Sequence, residues 1–276
     1  MLAMPGYGKI DHEYGMTLAT TAPEDDGPVW MVNLMKYKDK AEYADGRETE
    51  LTGREADDEY APLGPLAAVG AELVYLADVE DNFLGGEPTW DRVGVVKYPT
   101  RRAFIEMQER EDFRQAHKHK HAGMAETIII GCLPFEVERT SQFRHDWNDL
   151  PHPSTDEDGP FTLCHVIRFH REDGAEVNPD HMESYQATAA PVAIRNGARI
   201  DGFFSVEGTI IGDGRSWHQV RFNAFPSRRA FMEVYADPDR QKGQAEHREV
   251  AIADTYALGI RPRLNRLAES VAEEQC

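Results

Sequence analysis

Apolar residues recur along this chain with a period of two in short runs and a period of three to four in longer ones, and the two kinds of segment alternate in one order twice. In the first half, Val29 to Tyr37 reads as a strand, about Glu55 to Val69 as a helix, Ala71 to Val79 and Trp90 to Tyr98 as strands, about Thr100 to Met124 as a helix and Thr127 to Leu133 as a strand. Pro62 and Pro65 should kink or shorten the first helix, because each removes a backbone donor and crowds the preceding turn. In the second half, Phe161 to Phe169 is a strand and Asn178-Pro179 opens a helix whose apolar stripe is Met182, Tyr185, Ala189 and Val192, ended by Gly197. Strands Arg199 to Val206 and Ser216 to Phe225 follow, with turn chemistry at Gly208 to Gly214 between them. Pro226-Ser227 opens a helix that Asp237-Pro238 restarts or extends. Thr255 to Ile260 is the closing strand, and Pro262 should stop it.

The halves share residues as well as rhythm. Trp90 to Phe104 (WDRVGVVKYPTRRAF) returns 127 positions later as Trp217 to Phe231 (WHQVRFNAFPSRRAF), with seven of fifteen positions identical, where unrelated segments would share about one. Pro28 to Leu34 parallels Pro160 to Val166 at an offset of 132. The order β-α-β-β-α-β is the ferredoxin-like one, so the fold class expected is α+β, two tandem ferredoxin-like units. The division is an N-terminal extension (1–27), a first repeat (28–137), a polar linker (138–159), a second repeat (160–264) and a C-terminal tail (265–276). A sheet with both helices on one side leaves its other face bare, and each repeat can cover the other, sheet against sheet. The space between the sheets is then the expected ligand cavity.

Composition narrows the function classes. Thirty basic against forty-nine acidic residues give a formal charge of −19, which argues against nucleic acid and anionic membranes as partners. No apolar run approaches the roughly 18 residues of a membrane span. Cys132, Cys164 and Cys276 are too few and scattered for a disulfide framework, and the first residues lack a secretory pattern, so a cytoplasmic location is expected. Exposed sheet edges leave room for a homodimer.

The chain resembles the dimeric α/β-barrel superfamily over about Val29 to Pro134 and Phe161 to Pro262, here fused in one chain. The motifs WDRVGVVKYPTRRAF and WHQVRFNAFPSRRAF look most like an uncharacterised-domain branch of it. The resemblance implies an intramolecular barrel and a choice among isomerases, lyases, cyclases, cofactor-free monooxygenases and heme-degrading oxygenases. The segment from Ala103 to His119 is similar to the helix of antibiotic-biosynthesis and heme-degrading monooxygenases. In that pattern Asn33 and His117 match the functional asparagine and histidine, and Met107 stands where the family has tryptophan. The second repeat departs further, with His165 opposite Asn33 and Gln244 opposite His117.

Alternation puts Met31, Asn33 and Met35 on one face of the first strand, expected to line the cavity, and Val32 and Leu34 on the face toward the helices. Leu163, His165 and Ile167 correspond in the second repeat, and Arg92, Gln219, Arg221 and Asn223 share the equivalent face of the third strands. The leading expectation is a cofactor-independent enzyme acting on a partly apolar carbonyl, enol or phenolic compound. His165 would be its general base, Arg221 its carboxylate or oxyanion partner and Asn33 an orienter. Asn223, Gln219, Arg92, Tyr185, Met31 and Trp217 would contact substrate. Heme held by His117 is the alternative cofactor, and a non-catalytic binding protein the alternative class. His117 and His121 share a helix face, yet no zinc signature accompanies them, so no metal is assigned.

Overall fold

The computed structural model describes residues 6–135 and 146–274; residues 1–5, the linker portion 136–145 and the last two residues, Cys276 included, lie outside the described residues. The elements are β1 (Lys9–Ile10), α1 (His12–Thr20), β2 (Val29–Tyr37), α2 (Gly53–Tyr60), α3 (Leu63–Ala68), β3 (Glu72–Leu84), β4 (Arg92–Tyr98), α4 (Arg101–Glu109), α5 (Glu111–Gly123) and β5 (Met124–Pro134). They continue with β6 (Phe161–Phe169), a small hairpin β7 (Arg171–Glu172) and β8 (Ala175–Glu176), α6 (Pro179–Arg195), β9 (Arg199–Gly212), β10 (Gln219–Phe225), α7 (Arg228–Ala236) and α8 (Pro238–Gly243). A π-turn (Gln244–Arg248), α9 (Glu249–Ala251), β11 (Ile252–Asn265) and α10 (Leu267–Ala272) complete the chain.

Eight strands close into a ring in the order β9-β10-β6-β11-β3-β4-β2-β5, with β5 returning to β9. Each half supplies four neighbouring strands, and the halves meet at two antiparallel junctions, β11 with β3 and β5 with β9. Closure uses up the sheet edges that were expected to invite a second chain.

Capping explains where the helices begin. Thr52 forms a capping box with Glu55, and the paired prolines of the duplicated motif are followed by Thr100 and Ser227, whose hydroxyls accept from the Ala103 and Ala230 amides. The first helix breaks at Ala61 and Pro62, as its prolines foretell. The next arginine of each motif then ties its helix to the opposite half. Arg101 binds Glu207 of β9 at 2.8 Å, and Arg228 binds Asp81 of β3 at 2.8 Å. The repetition of RRAF is thus a pair of pseudo-symmetric clamps across the two junctions.

The barrel interior is solid. Trp30, Tyr75, Phe204, Phe222 and Tyr256 fill it at 1% exposure or less, together with Val32, Leu34, Cys132, Cys164 and Val166. Each such side chain contributes roughly 1.5–3 kcal/mol by burial. This corrects the expected cavity between the sheets: the Val/Leu set of β2 turns inward, and the set with Asn33 turns toward the helices. Trp217, expected at substrate, is core. It and its counterpart Trp90 both pack on Tyr256, with ring centroids 5.3 and 5.4 Å away.

Other departures have local causes. Gly208 to Gly212 continues β9 instead of turning, because those residues pair with β5 and give room to Tyr14; a Cβ at Gly208 would stand 2.4 Å from that ring. β11 runs through Pro262, where its register against β3 shifts, a bulge that tolerates the missing donor. The flanks are structured as well. α1 packs over the β5–β9 junction, and α10 closes one end of the barrel with Leu267 and Val271, Ser270 accepting from the Trp30 indole at 3.0 Å.

Candidate functional site

Between the outer face of the first half's strands and helices α2 to α5 lies a cavity of about 970 Å3, roofed by the segment from Tyr7 to Met16. That is the size of a small-molecule pocket. Met31, Tyr98, Phe104, Met107 and Ile129 give it a mainly apolar wall. Its polar groups come from α5 and β2, and also from α2, β4 and the N-terminal segment. His117, Lys120 and His121 follow Phe113 at helical spacing on one face, while Lys118 is exposed and His119 turns to the Tyr43 hydroxyl at 2.7 Å. Asn33 reaches the cavity from β2, its amide donating to the Met31 carbonyl at 2.9 Å.

His117 Nε2 lies 3.1 Å from the Tyr7 hydroxyl, Phe113 stacks on the imidazole with centroids 5.1 Å apart, and His121 meets it edge-on at 4.6 Å. Burial, reinforced by Lys120 and His121, lowers the His117 pKa to about 3, and burial raises the Tyr7 phenol, so both are neutral at physiological pH. Lys120 is 5% exposed and has no carboxylate partner within ion-pair distance among the described residues. Its ammonium sits 5.4 Å over the Tyr60 ring, and burial lowers its pKa against the opposing pull of Asp57.

These imidazoles make the fold sensitive to acid. A histidine kept neutral in the native state lets the unfolded chain bind more protons below its ordinary value of 6.5, so stability is full above that pH and is lost as pH falls through it. His117, His218 (lowered to about 4 by burial and then Arg171), His121 and His165 all act in this direction. Asp26, held below 3.8 despite its desolvation by backbone N–H groups, gives way only at lower pH. Thermal melts should show Tm falling by several degrees between pH 6.5 and about 4.5, with His117→Asn flattening the slope. A level profile over that range would mean that these rings titrate normally.

A heme iron at His117 would need a free ring nitrogen facing the cavity. Nε2 is already held by the Tyr7 hydroxyl, Phe113 covers one ring face, and Arg92, a guanidinium that lines the cleft, already holds Asp57 and Asp58. This arrangement does not fit the cofactor. Among the described residues no group of three His, Cys, Asp or Glu side chains is placed to hold a metal ion.

The expected catalytic trio is divided between two places. His165 and Arg221 are directly paired across β6 and β10, and Gln219 and Asn223 share their face, with Arg221 donating to Gln219 Oε1 at 3.1 Å. All four lie on the helix side of the second half, beside Tyr185. Asn33 is in the first cleft, with β11, β3 and β4 intervening in the sheet. Met31 does line a cavity, though on the helix side of its sheet. Arg92 lines that cavity too, at 3% exposure, but as part of a charge cluster with Asp57, Asp58 and Asp78. Lys120 and Tyr7 were missed; the helical spacing from Phe113 to Lys120 was the available signal for the lysine.

A closed eight-stranded ring with helices outside and a ligand-sized cleft beneath them defines a dimeric α/β-barrel fold. Among solved structures, a chlorite dismutase variant from Candidatus Nitrospira defluvii is similar at 10% identity over 90% of this chain and 96% of that one, with a TM-score of 0.50. An anthrone oxidase-like protein is similar at 10% identity over 88% of this chain and 96% of that one, TM-score 0.47. A protein of unknown function from Rhodopseudomonas palustris matches at 26% identity over 48% of this chain and 99% of its own, TM-score 0.41. No protein-family model and no curated protein matches the chain.

Proposed function

We propose that this protein is two fused ferredoxin-like units acting as a cofactor-independent enzyme on a partly apolar small molecule with a carbonyl, enol or phenol oxygen, bound in the first cleft. The carrying observation is Lys120, a buried amine without a carboxylate within ion-pair distance among the described residues, in a mainly apolar cavity beside the neutral Tyr7–His117 pair. An oxyanion forming there gains an ammonium in a low-dielectric site, where attraction is strong. His117 takes the substrate proton through Tyr7, whose hydroxyl lines the cleft and passes its own proton to Nε2 as it receives that of the substrate. The weak basicity of the imidazole in the empty cleft rises once negative charge develops on the substrate. Tyr7 holds the imidazole in place, and Asn33 orients the substrate through its free amide oxygen. The resulting anion would isomerise, eliminate, cyclise or react with dioxygen. Membership of an enzyme-rich fold supports the class and leaves the reaction open.

A chromogenic phenol such as 4-nitrophenol tests the reading directly. On binding it should shift to its phenolate spectrum below its solution pKa, and Lys120→Met should abolish the shift. In a panel of hydroxynaphthalenes and β-diketones under air, Lys120→Met and His117→Ala should each lower turnover tenfold or more. Unchanged turnover in both variants would remove the cleft from catalysis, and saturable binding without product would leave a binding protein.

A further inference from the structure

On the helix side of β6 and β10, the corresponding place in the second half, the chemistry is different. β6 and β10 lie inside the closed sheet and are covered by α6 and the π-turn, yet His165, Gln219, Arg221 and Asn223 all keep partial exposure. In a covered sheet such exposure marks an opening between strands and helices. At the repeat offset of 127, Arg221 stands where the first half has Gly94, and Arg248 where it has His121. The space that a glycine leaves open in the first cleft is here taken by a guanidinium.

Among the described residues these cations have no counter-ion within ion-pair distance. Arg221 donates only to Gln219 Oε1 and lies over the Phe203 ring at 4.5 Å. Arg248 is 4% exposed and its Nη2 is buried without any partner. Among the described residues neither has a carboxylate within ion-pair distance. The acids on the covering helix, Asp180 and Glu183, are exposed. Glu176 and Glu249 act on the pair only through their more distant fields, and Arg240 adds a further positive charge facing His165. His165, Tyr185 and Asn223 likewise have no hydrogen-bond partner on their side chains among the described residues. Burying like charges together without an anion is costly, and the more so in a chain with 49 acidic residues to choose from. Arg248 is also the last residue of the π-turn, and π-turns recur at functional sites.

We infer that the opening beneath the second half's helices is an anion-binding site, in which Arg221 and Arg248 hold the oxyanion head of a small molecule, a carboxylate or a phosphate, and His165 and Tyr185 hydrogen-bond to it. Leu163, Ile167 and Met182, packed beside them, suit an organic body behind that head. Burial and the neighbouring Arg248 lower the Arg221 pKa to about 10, so the site stays cationic at neutral pH while His165 stays neutral. The inference rests on the second half alone and stands apart from the function proposed for the first cleft.

Titration calorimetry with sodium benzoate and with inorganic phosphate, at constant ionic strength in chloride, tests it. At least one should bind saturably, and the tighter of the two names the head group. Arg221→Gln and Arg248→Gln should each weaken that binding tenfold or more. A second readout needs no ligand. In anion-poor buffer Arg248→Met should raise Tm by roughly 2–4 °C, since it removes an uncompensated buried charge. Absence of saturable binding by both probes, binding undiminished in the variants, or a lowered Tm in Arg248→Met would overturn the site.

Discussion

Replacing Arg92 with alanine should destabilise the fold by about 3–5 kcal/mol, the largest effect expected of any single charge removal in the chain. The guanidinium is 3% exposed and holds Asp58 at 2.7 Å, Asp57 at 3.3 Å and Asp78 at 3.5 Å. Asp57 is itself buried and also accepts from the Tyr37 hydroxyl at 2.6 Å. Without Arg92 its charge is stranded in a low-dielectric site, and that stranding, more than the lost attraction, sets the cost. The added change Asp57→Asn should therefore recover part of the loss, which urea denaturation of the single and double variants would measure. Lys40→Ala, which removes an exposed pair with Glu50, is the control and should change stability by under about 1 kcal/mol. A cost for Arg92→Ala no larger than the control's would show that the cluster is solvated.

Gly123→Ala should cost about 2–3 kcal/mol or more and abolish ligand binding in the first cleft. A Cβ on Gly123 would stand 2.2 Å from the Gly53 carbonyl oxygen, and one on Gly53 would stand 2.4 Å from the Gly123 oxygen and 2.5 Å from that of Lys38. The obstacle is backbone, not a side chain that can swing away. Backbone hydrogen bonds Lys38 N to Gly123 O at 2.9 Å and Gly53 N to Lys38 O at 3.1 Å lock the three segments. This contact fixes the start of α2, which carries Asp57 and Tyr60, against the end of α5, which carries His117 and Lys120. Moving it apart changes the width of the cleft. Thermal melts and 4-nitrophenol titration of the variant would check both effects; a stable variant that still shifts the phenol spectrum would mean that the helices separate without consequence.

Arg92 and Lys120 show how unevenly the site could be read from the chain. Arg92 was visible as a charged residue on a strand, but its three carboxylates come from α2 and β3, distant in sequence. Lys120 sits in a run of alternating histidine and lysine that by default describes a solvated helix end. What makes it different from exposed Lys118 is the cavity it faces, and no local pattern records that.

Most of the strand and helix order and most helix starts followed from the sequence alone, because capping hydroxyls, prolines and periodicity act over a few residues. Which face of each strand looks inward was decided only by tertiary structure. In a barrel covered by helices both faces of a strand are buried, so Met31 and Met35 are as apolar as Val32 and Leu34, and alternation separates the two sets without saying which one meets the core. Closure of the ring filled the interior with large rings from both halves, and so moved the candidate polar groups to the helix side, Asn33 and Arg92 into the cleft of the first half and His165 and Arg221 beneath the helices of the second.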